Sequence, residues 1–277
     1  MPPAYNTTEY RYPNEQLVLT LTLFLVFVVI VVTATATLCG SLLFVLAMLA
    51  FSYFASQSKH EELLKKAHQV TPETSPNLGA LARDCVERLR PGRVNFFVVP
   101  GNVLNAYTFG LSDPKVVVFY SPMLQVMDAD ELKFVTGHEL GHVRLGHTWL
   151  NSLVGGMAGI PSPLFAAVIL QIAFRWWNRM CEYSADRAGL LACGKPNKAI
   201  SALVKLATGG AAQTSADLQK ALALIEKEDD DLANNIGELL GTHPMIVKRI
   251  EELRRYIASD GYRRLQALVN KNVEYVS

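Results

Sequence analysis

Two histidines and a glutamate stand together in the sequence His138-Glu139-Leu140-Gly141-His142. The histidines are four residues apart, so in a helix both imidazoles leave the same face and can bind one metal ion. Glu139 lies about 100° further round such a helix, within reach of a water molecule on the ion but not of the ion itself. This arrangement is typical of zinc-dependent peptidases in which the glutamate is the general base. The alternative is an ordinary helix with two histidines one turn apart.

Two histidines do not complete a catalytic zinc site, which also needs a third protein ligand and an open position for water. One class of zinc peptidase would have glycine at 145 and histidine at 148, where this chain has Leu145 and Thr148. His147 lies about 140° from His142 on a continuous helix. It is therefore a poor ligand for the same ion, and we expect a structural or surface role for it.

A glutamate on a following helix is the other known solution. Glu182 is the only glutamate between residues 140 and 225, and Asp186 lies one helical turn after it. Asp186 is then placed to orient a ligand histidine through a hydrogen bond. We predict that His138, His142 and Glu182 bind one Zn²⁺ ion.

The elements that must position these residues can be read from the pattern around them. Asp128 and Glu131 form a capping box that starts a helix predicted to run from about 129 to 153. Three short strands precede it, at 94–99, 105–110 and 115–120. We predict an α+β fold, mainly helical, with a small sheet beside the metal-binding helix. An edge strand of such a sheet can hold an extended substrate by main-chain pairing.

Composition indicates contact with a membrane. Half of the residues are hydrophobic, only 18% are charged and the mean hydropathy is positive. A net charge of +1 gives no sign of a nucleic-acid partner. The four cysteines show no C-x-x-C pairing, which favours a reducing compartment over a disulfide scaffold.

No charged residue occurs between residues 16 and 58, and two apolar runs lie inside that stretch, at 17–32 and 38–54. Each run is about as long as the shortest helix that spans a bilayer. A two-helix hairpin is therefore preferred over one long tilted span. A cleaved signal peptide is disfavoured because the residues before the apolar block are not basic.

Basic residues after the apolar block predict its orientation. Lys59, Lys65 and Lys66 follow the block directly, and the positive-inside rule places them in the cytoplasm. We predict a polar lead over 1–16, a transmembrane anchor over 17–57 and a zinc metalloprotease domain over 58–277. The catalytic domain would then face the cytoplasm, at a bacterial inner membrane or another cell membrane.

The stretch 150–177 is also apolar enough to suggest a membrane span. His142 and Glu182 must bind the same ion, so the chain between them has to cross a bilayer an even number of times. This stretch is too short to cross twice as helices. We predict a membrane-proximal hairpin that dips into the bilayer, lies against it or packs on the anchor.

Four motifs follow one another in a fixed order. They are Asn105-Ala106-Tyr107-Thr108-Phe109-Gly110, the motif at 138–142, Glu182 with Asp186 and Arg187, and Thr242-His243-Pro244 with Arg249. Together with the apolar N-terminal block, the chain from about residue 60 to 258 resembles the HtpX-like and CAAX prenyl endopeptidase family of membrane-associated zinc metalloproteases. Residues 150–177 are a departure, because they are shorter than the two full spans of HtpX itself.

The resemblance implies a gluzincin site with one Zn²⁺ ion, bound by His138, His142 and Glu182, and with Glu139 as general base. It implies that His243 stabilises the oxyanion and that Asp186 and Arg249 support the site. Substrate backbone would be held at Asn105, Ala106 and Tyr107.

We therefore expect a membrane-anchored metalloendopeptidase that hydrolyses peptide bonds with a zinc-activated water, with membrane protein quality control as its role. Its partners would be protein or peptide substrates and the lipid bilayer, with no nucleic acid. The sequence does not indicate an oligomeric state. The alternative is a zinc-stabilised membrane scaffold or chaperone-like adaptor without protease activity.

Overall fold

The computed structural model describes residue 6 and residues 9–37, 39–149, 165–227 and 246–274. The described residues are mainly helical, with one small sheet. The helices are α1 (Glu15–Ala36), α2 (Gly40–Lys65), α3 (Pro76–Leu89), α4 (Ser121–Val126), α5 (Ala129–Leu145), α6 (Phe165–Cys193), α7 (Pro196–Ala207), α8 (Ser215–Lys227), α9 (Ile246–Ile257) and α10 (Asp260–Glu274). The strands are β1 (His68–Gln69), β2 (Val94–Val99), β3 (Ala106–Phe109) and β4 (Lys115–Tyr120).

The four strands form one sheet in the order β1-β2-β4-β3. β2 and β4 are apolar along most of their length and pair in parallel, as strands covered on both faces do. β3 pairs antiparallel with β4 and is an edge strand that contacts α5. The predicted fold class is confirmed, and only the two-residue strand β1 was not predicted.

Helix α5 carries the metal-binding motif and is the centre of the core. It contacts α3, α6, α7 and the sheet, and most of its residues are buried. The predicted capping box is present: the Asp128 carboxylate accepts from the backbone N–H groups of Asp130 and Glu131, both at 3.0 Å. In return, the Asp128 backbone N–H donates to the Glu131 carboxylate at 2.9 Å. The first turn of α5 is thus fixed by its own sequence.

Helix α5 ends at Leu145, earlier than the predicted end near residue 153. Gly146 has a φ of +81°, in the left-handed region where glycine is not strained. Its backbone N–H donates to the carbonyls of His142 and Val143, which closes the helix. The chain therefore changes direction before His147.

Helices α5 and α6 lie unusually close together because small residues face each other between them. A Cβ atom added at Gly137 would lie 2.4 Å from the Cβ of Ala192, and one added at Gly141 would lie 2.7 Å from the Cβ of Ala188. Real Cβ atoms essentially never come this close. Only glycine at these two positions allows α6 to approach the face of α5 that carries the histidines.

The polar residues before α1 pack on the body of the protein. Tyr10 has no exposed surface and belongs to the main hydrophobic cluster. The Tyr12 backbone N–H donates to Ser184 Oγ at 2.7 Å, and the Arg187 guanidinium donates to the Arg11 carbonyl at 3.2 Å. The described part of the predicted lead is therefore a docked segment that holds the start of α1 against α6.

The predicted anchor corresponds to two helices, α1 and α2, with a turn between them. By length and composition, α1 could cross a membrane: it has 22 residues, and a stretch of 18 residues within it has a mean hydropathy of 3.0 and is only 11% buried. Among the described residues, α1 is the one helix that meets these criteria. A membrane crossing by both helices stays a prediction.

Part of the predicted apolar hairpin at 150–177 lies outside the described residues, namely 150–164. The remaining residues continue into α6 as one helix. Trp177 is 2% exposed and packs with Val18 of α1 and Cys181. Since Ser184 contacts Glu15 while Trp177 packs on Val18, α6 runs antiparallel to α1. The end of this apolar stretch thus packs on α1, and a membrane-proximal hairpin over 150–177 stays a prediction.

The close approach of α5 and α6 gives a first prediction. Gly141→Ala should lower the free energy of unfolding by about 1–3 kcal/mol, because the added methyl group overpacks the seam. It should also reduce bound zinc. Urea denaturation in detergent and metal analysis measure the two effects. Gly261→Ala is the control, since a Cβ there meets Ser259 Oγ at an ordinary 3.7 Å. Equal stability and zinc content in both variants would contradict the packing constraint.

Candidate active site

Three side chains converge between α5 and α6. His138 Nε2 and His142 Nε2 are 3.2 Å apart. The Glu182 carboxylate lies 3.5 Å from His138 Nε2 through Oε2 and 3.4 Å from His142 Nε2 through Oε1. Tetrahedral zinc with bonds of about 2.0–2.1 Å separates its ligand atoms by about 3.3 Å. The predicted ligands therefore come together at the spacing that a zinc ion requires.

The charges around Glu182 favour its ionised form. Burial alone would raise the pKa of this carboxyl, but the Arg249 guanidinium and the two histidines hold the pKa well below its usual range. Arg249 NH1 lies 3.1 Å from Glu182 Oε2. Glu182 is thus an anionic oxygen donor in a buried site, as metal binding requires.

His138 is oriented by a buried ion pair. Its Nδ1 lies 2.9 Å from Asp186 Oδ1, and Arg249 donates to both oxygens of Asp186, at 2.8 and 2.6 Å. Because Asp186 accepts from Nδ1–H, the Nε2 lone pair of His138 points to the other ligands. Burial would raise the pKa of Asp186, but Arg249 holds it below its usual value. The structure brings Asp186 and Arg249 together beside His138.

His142 is contacted on its Nδ1 side by His147, at 3.0 Å between the two Nδ1 atoms. His147 is 1% exposed, and its Nε2 lies 3.1 Å from Glu15 Oε1. The surface alternative for His147 was wrong because Gly146 ends α5 and turns the next residue back towards His142. Burial lowers the pKa of His147 to about 4, so this imidazole is neutral near pH 7. Sequence reasoning missed Glu15 altogether.

Glu139 is buried beside the three ligands and is held by β3. Its carboxylate oxygen Oε2 accepts a hydrogen bond from Thr108 Oγ1 at 2.7 Å. Thr108 was not predicted as a site residue. The available signal was the strand pattern, because Thr108 is the one aliphatic hydroxyl in this short strand and lies between two aromatic residues.

One cavity joins the predicted metal ligands to the edge strand. It is lined by the three ligands and Glu139, and on its other side by Asn105, Ala106 and Tyr107. The Asn105 carbonyl accepts from the Tyr120 backbone N–H at 3.0 Å, which fixes the start of β3 on β4. The predicted substrate-binding residues thus share a cavity with the predicted metal site. His243 lies outside the described residues.

Comparison with known proteins identifies the family. The sequence model of peptidase family M48 matches residues 75–257, about two thirds of the chain. The chain belongs to peptidase family M48. The resemblance to HtpX-like proteases is confirmed, and so is the prediction of a metalloprotease. These findings argue against the alternative function, a non-proteolytic scaffold. An M48 metallopeptidase uses a metal ion and acts on proteins or peptides.

Relatives of this M48 chain include proteins from a plant, a bacterium and an archaeon. The chloroplastic plastoglobule-localized metallopeptidase 48 of Arabidopsis thaliana is 28% identical over 70% of this chain, and the match covers 61% of that relative, less than two thirds of its length. A protease HtpX homolog of Desulforapulum autotrophicum is 26% identical over 77% of the chain and 79% of its own length. One of Thermococcus kodakarensis is 27% identical over 65% and 73%.

The hydrogen bond from Thr108 gives a second prediction. Thr108→Val should lower kcat about 10- to 100-fold, because a hydrogen bond to a charged group contributes about 1.5–3 kcal/mol. Zinc content should stay the same, since Thr108 contacts Glu139 and not a ligand. Peptide cleavage and metal analysis measure the two quantities. Thr136→Val is the matched control, because the Thr136 hydroxyl donates only to the Leu132 carbonyl within α5. Equal kcat in both variants would rule out a role for Thr108.

Proposed function

We propose that this protein is a membrane-anchored zinc endopeptidase whose metal ion is held by His138, His142 and Glu182. The observation that carries the proposal is the convergence of these three donors at zinc spacing in a cavity that also contains Glu139. Two nitrogen donors and one carboxylate form the ligand set of a known class of zinc peptidases. The open side of the site faces the cavity, where water and a peptide have room.

The proposed reaction is hydrolysis of an internal peptide bond. Zinc supplies Lewis acidity that activates water and polarises the scissile carbonyl. Glu139 takes the proton of the attacking water and delivers it to the leaving amine. Thr108 holds the Glu139 carboxylate in place by donating to Oε2, the hydrogen bond described above. Asp186 and Arg249 keep the His138 ring in the orientation that leaves Nε2 free.

The substrate would bind as an extended strand. β3 is at the sheet edge, lies against α5 and shares its cavity with the metal ligands. A peptide paired with this edge through its main chain would pass the ligands with one carbonyl near Glu139. Asn105, Ala106 and Tyr107 are the proposed contacts. His243 is proposed to donate to the oxyanion, where loss of one donor typically costs about 10²–10³ in rate.

The proposed location is a cell membrane, such as a bacterial inner membrane, with the catalytic body on the cytoplasmic side. The length and hydropathy of α1 support the anchor, and the basic residues after α2 support the orientation. The proposed role is membrane protein quality control, which is what the resemblance to HtpX-like proteases implies. Net charge near zero supports protein substrates and lipid, not nucleic acid, as partners.

Glu139→Gln tests the general base. The variant should lose at least about 10²-fold in kcat, because an amide cannot take the water proton. It should still bind about one zinc ion, since Glu139 is not a ligand. Cleavage of casein with a chelator control, together with metal analysis, measures both. Glu251→Gln on the exposed face of α9 is a control of the same chemistry. Full activity of Glu139→Gln would refute the mechanism.

Glu182→Ala tests the third ligand. This variant should lose zinc and activity together, because two imidazoles alone hold the ion weakly. It also leaves Arg249 without one of its two carboxylate partners. Glu182→Gln keeps the side-chain volume and separates loss of metal from loss of fold, which circular dichroism monitors. A Glu182→Ala protein that keeps one zinc ion per chain would place the third ligand elsewhere.

A further inference from the structure

The contact between His142 and His147 has no part in the hydrolysis described above. It begins a chain of buried groups that leads away from the metal site: His142 Nδ1 to His147 Nδ1 at 3.0 Å, then His147 Nε2 to Glu15 Oε1 at 3.1 Å. His147 and Glu15 are each 1% exposed. Glu15 is the first residue of α1, 127 residues before His142 in sequence. This series of hydrogen-bonded groups therefore joins the anchor helix to the proposed metal ligand His142.

The tautomers of His147 and His142 follow from the Glu15 carboxylate at the end of this hydrogen-bonded series. A carboxylate only accepts, so His147 must donate to Glu15 from Nε2–H. A neutral imidazole carries one N–H, so His147 Nδ1 is then an acceptor. His142 must donate to it from Nδ1–H, which leaves the Nε2 lone pair of His142 free for a metal ion. Each step permits one assignment only.

Glu15 is held in place as an acceptor by two further groups. Ser184 Oγ donates to its carboxylate, and Arg11 forms an ion pair with it. Arg11 also donates to the Leu145 carbonyl at 3.4 Å, at the end of α5. The Trp177 ring, itself buried, lies edge-on to His147, with 6.0 Å between ring centroids. Glu15 is therefore fixed by α6, through Ser184, and by the segment before α1, through Arg11.

We propose that Glu15 and His147 are positioning residues for the metal ligand His142. Glu15 sets the tautomer of His147, and His147 sets the tautomer and ring orientation of His142. The proposal rests on the metal site proposed above. His142 would thus have its own supporting carboxylate, as His138 has Asp186, but this one comes from the anchor helix.

A second metal site is the competing explanation, because Glu15, His147 and Cys181 bring donor atoms within 4.8 Å of one another. The hydrogen bonds argue against it. Both nitrogens of His147 already have partners, and Glu15 is engaged by Ser184, Arg11 and His147. Burial keeps the Cys181 thiol protonated by raising its pKa well above the usual value. Two zinc ions per wild-type chain would favour this explanation and overturn ours.

The first test measures zinc affinity of the full chain in detergent, by competition with a chelating indicator. Glu15→Ala and His147→Phe should each weaken zinc binding about 10- to 100-fold, as loss of a partner behind a ligand typically does. His147→Gln should recover much of this loss, because its amide can accept from His142 and donate to Glu15. Glu9→Gln is the matched control, since Glu9 belongs to the same segment but pairs with Arg264 at the surface.

The second test separates positioning from simple docking of the N-terminal segment. Two-bond ¹H–¹⁵N correlation spectra of ¹⁵N-histidine-labelled protein report which nitrogen of each ring carries the proton. The zinc-loaded wild type should show His142 protonated at Nδ1 and His147 at Nε2. In Glu15→Ala, His147 should populate both tautomers, whereas Glu9→Gln should keep the wild-type pattern.

The outcomes distinguish this proposal from the proposed function. A wild-type chain that binds no zinc refutes the metal site itself. A wild type that binds zinc, together with Glu15→Ala and His147→Phe variants of unchanged affinity, refutes the positioning role alone. Equal loss of affinity in Glu9→Gln and Glu15→Ala, with unchanged tautomers in both, would assign the effect to docking of the segment and would also overturn the proposal.

Discussion

The close contact between α5 and α6 is the constraint on which the candidate site depends. Ligands from two helices can share one ion only if the backbones approach to within a small side chain. Gly137 and Gly141 provide that space on α5, and Ala188 and Ala192 fill it from α6. The glycine inside the metal-binding motif is therefore as necessary to the geometry as the histidines are. It has no chemical function, yet it sets the distance between the ligands.

Burial of so many ionisable groups is the second constraint, because an unpaired charge in this interior would be costly. Asp186 and Glu182 share Arg249, whose guanidinium lies between them. Glu15 is paired with Arg11 and bonded to Ser184. Each carboxylate is thus stabilised by donors that also fix its direction. The hydrogen bonds that make burial tolerable are the same ones that orient the site.

Local patterns predicted much of this arrangement. The spacing of His138 and His142 depends only on helical geometry, and Glu182 followed from being the only glutamate in a long stretch. Strands β2 and β4 were predicted with their observed bounds because their residues are almost uniformly apolar or β-branched. The contact between His147 and His142 was not predicted, because one left-handed glycine invalidates any rotation calculated along a continuous helix. Glu15 was missed because His147 and Ser184, its partners from the body of the protein, lie more than 130 residues away, and no local pattern predicts these contacts.

The docked first turn of α1 bears on where the catalytic unit begins. The family match starts at residue 75, and the predicted apolar anchor ends near residue 58. Truncation of the chain at either position would be the obvious way to obtain a soluble enzyme. Either cut removes Tyr10 from the core and leaves His147 facing an empty carboxylate position. The segment before α1 and the first turn of α1 thus belong to the same packed unit as the candidate active site. A fragment that lacks the N-terminal segment and α1 would therefore also lack part of the core and one of the groups behind the candidate active site.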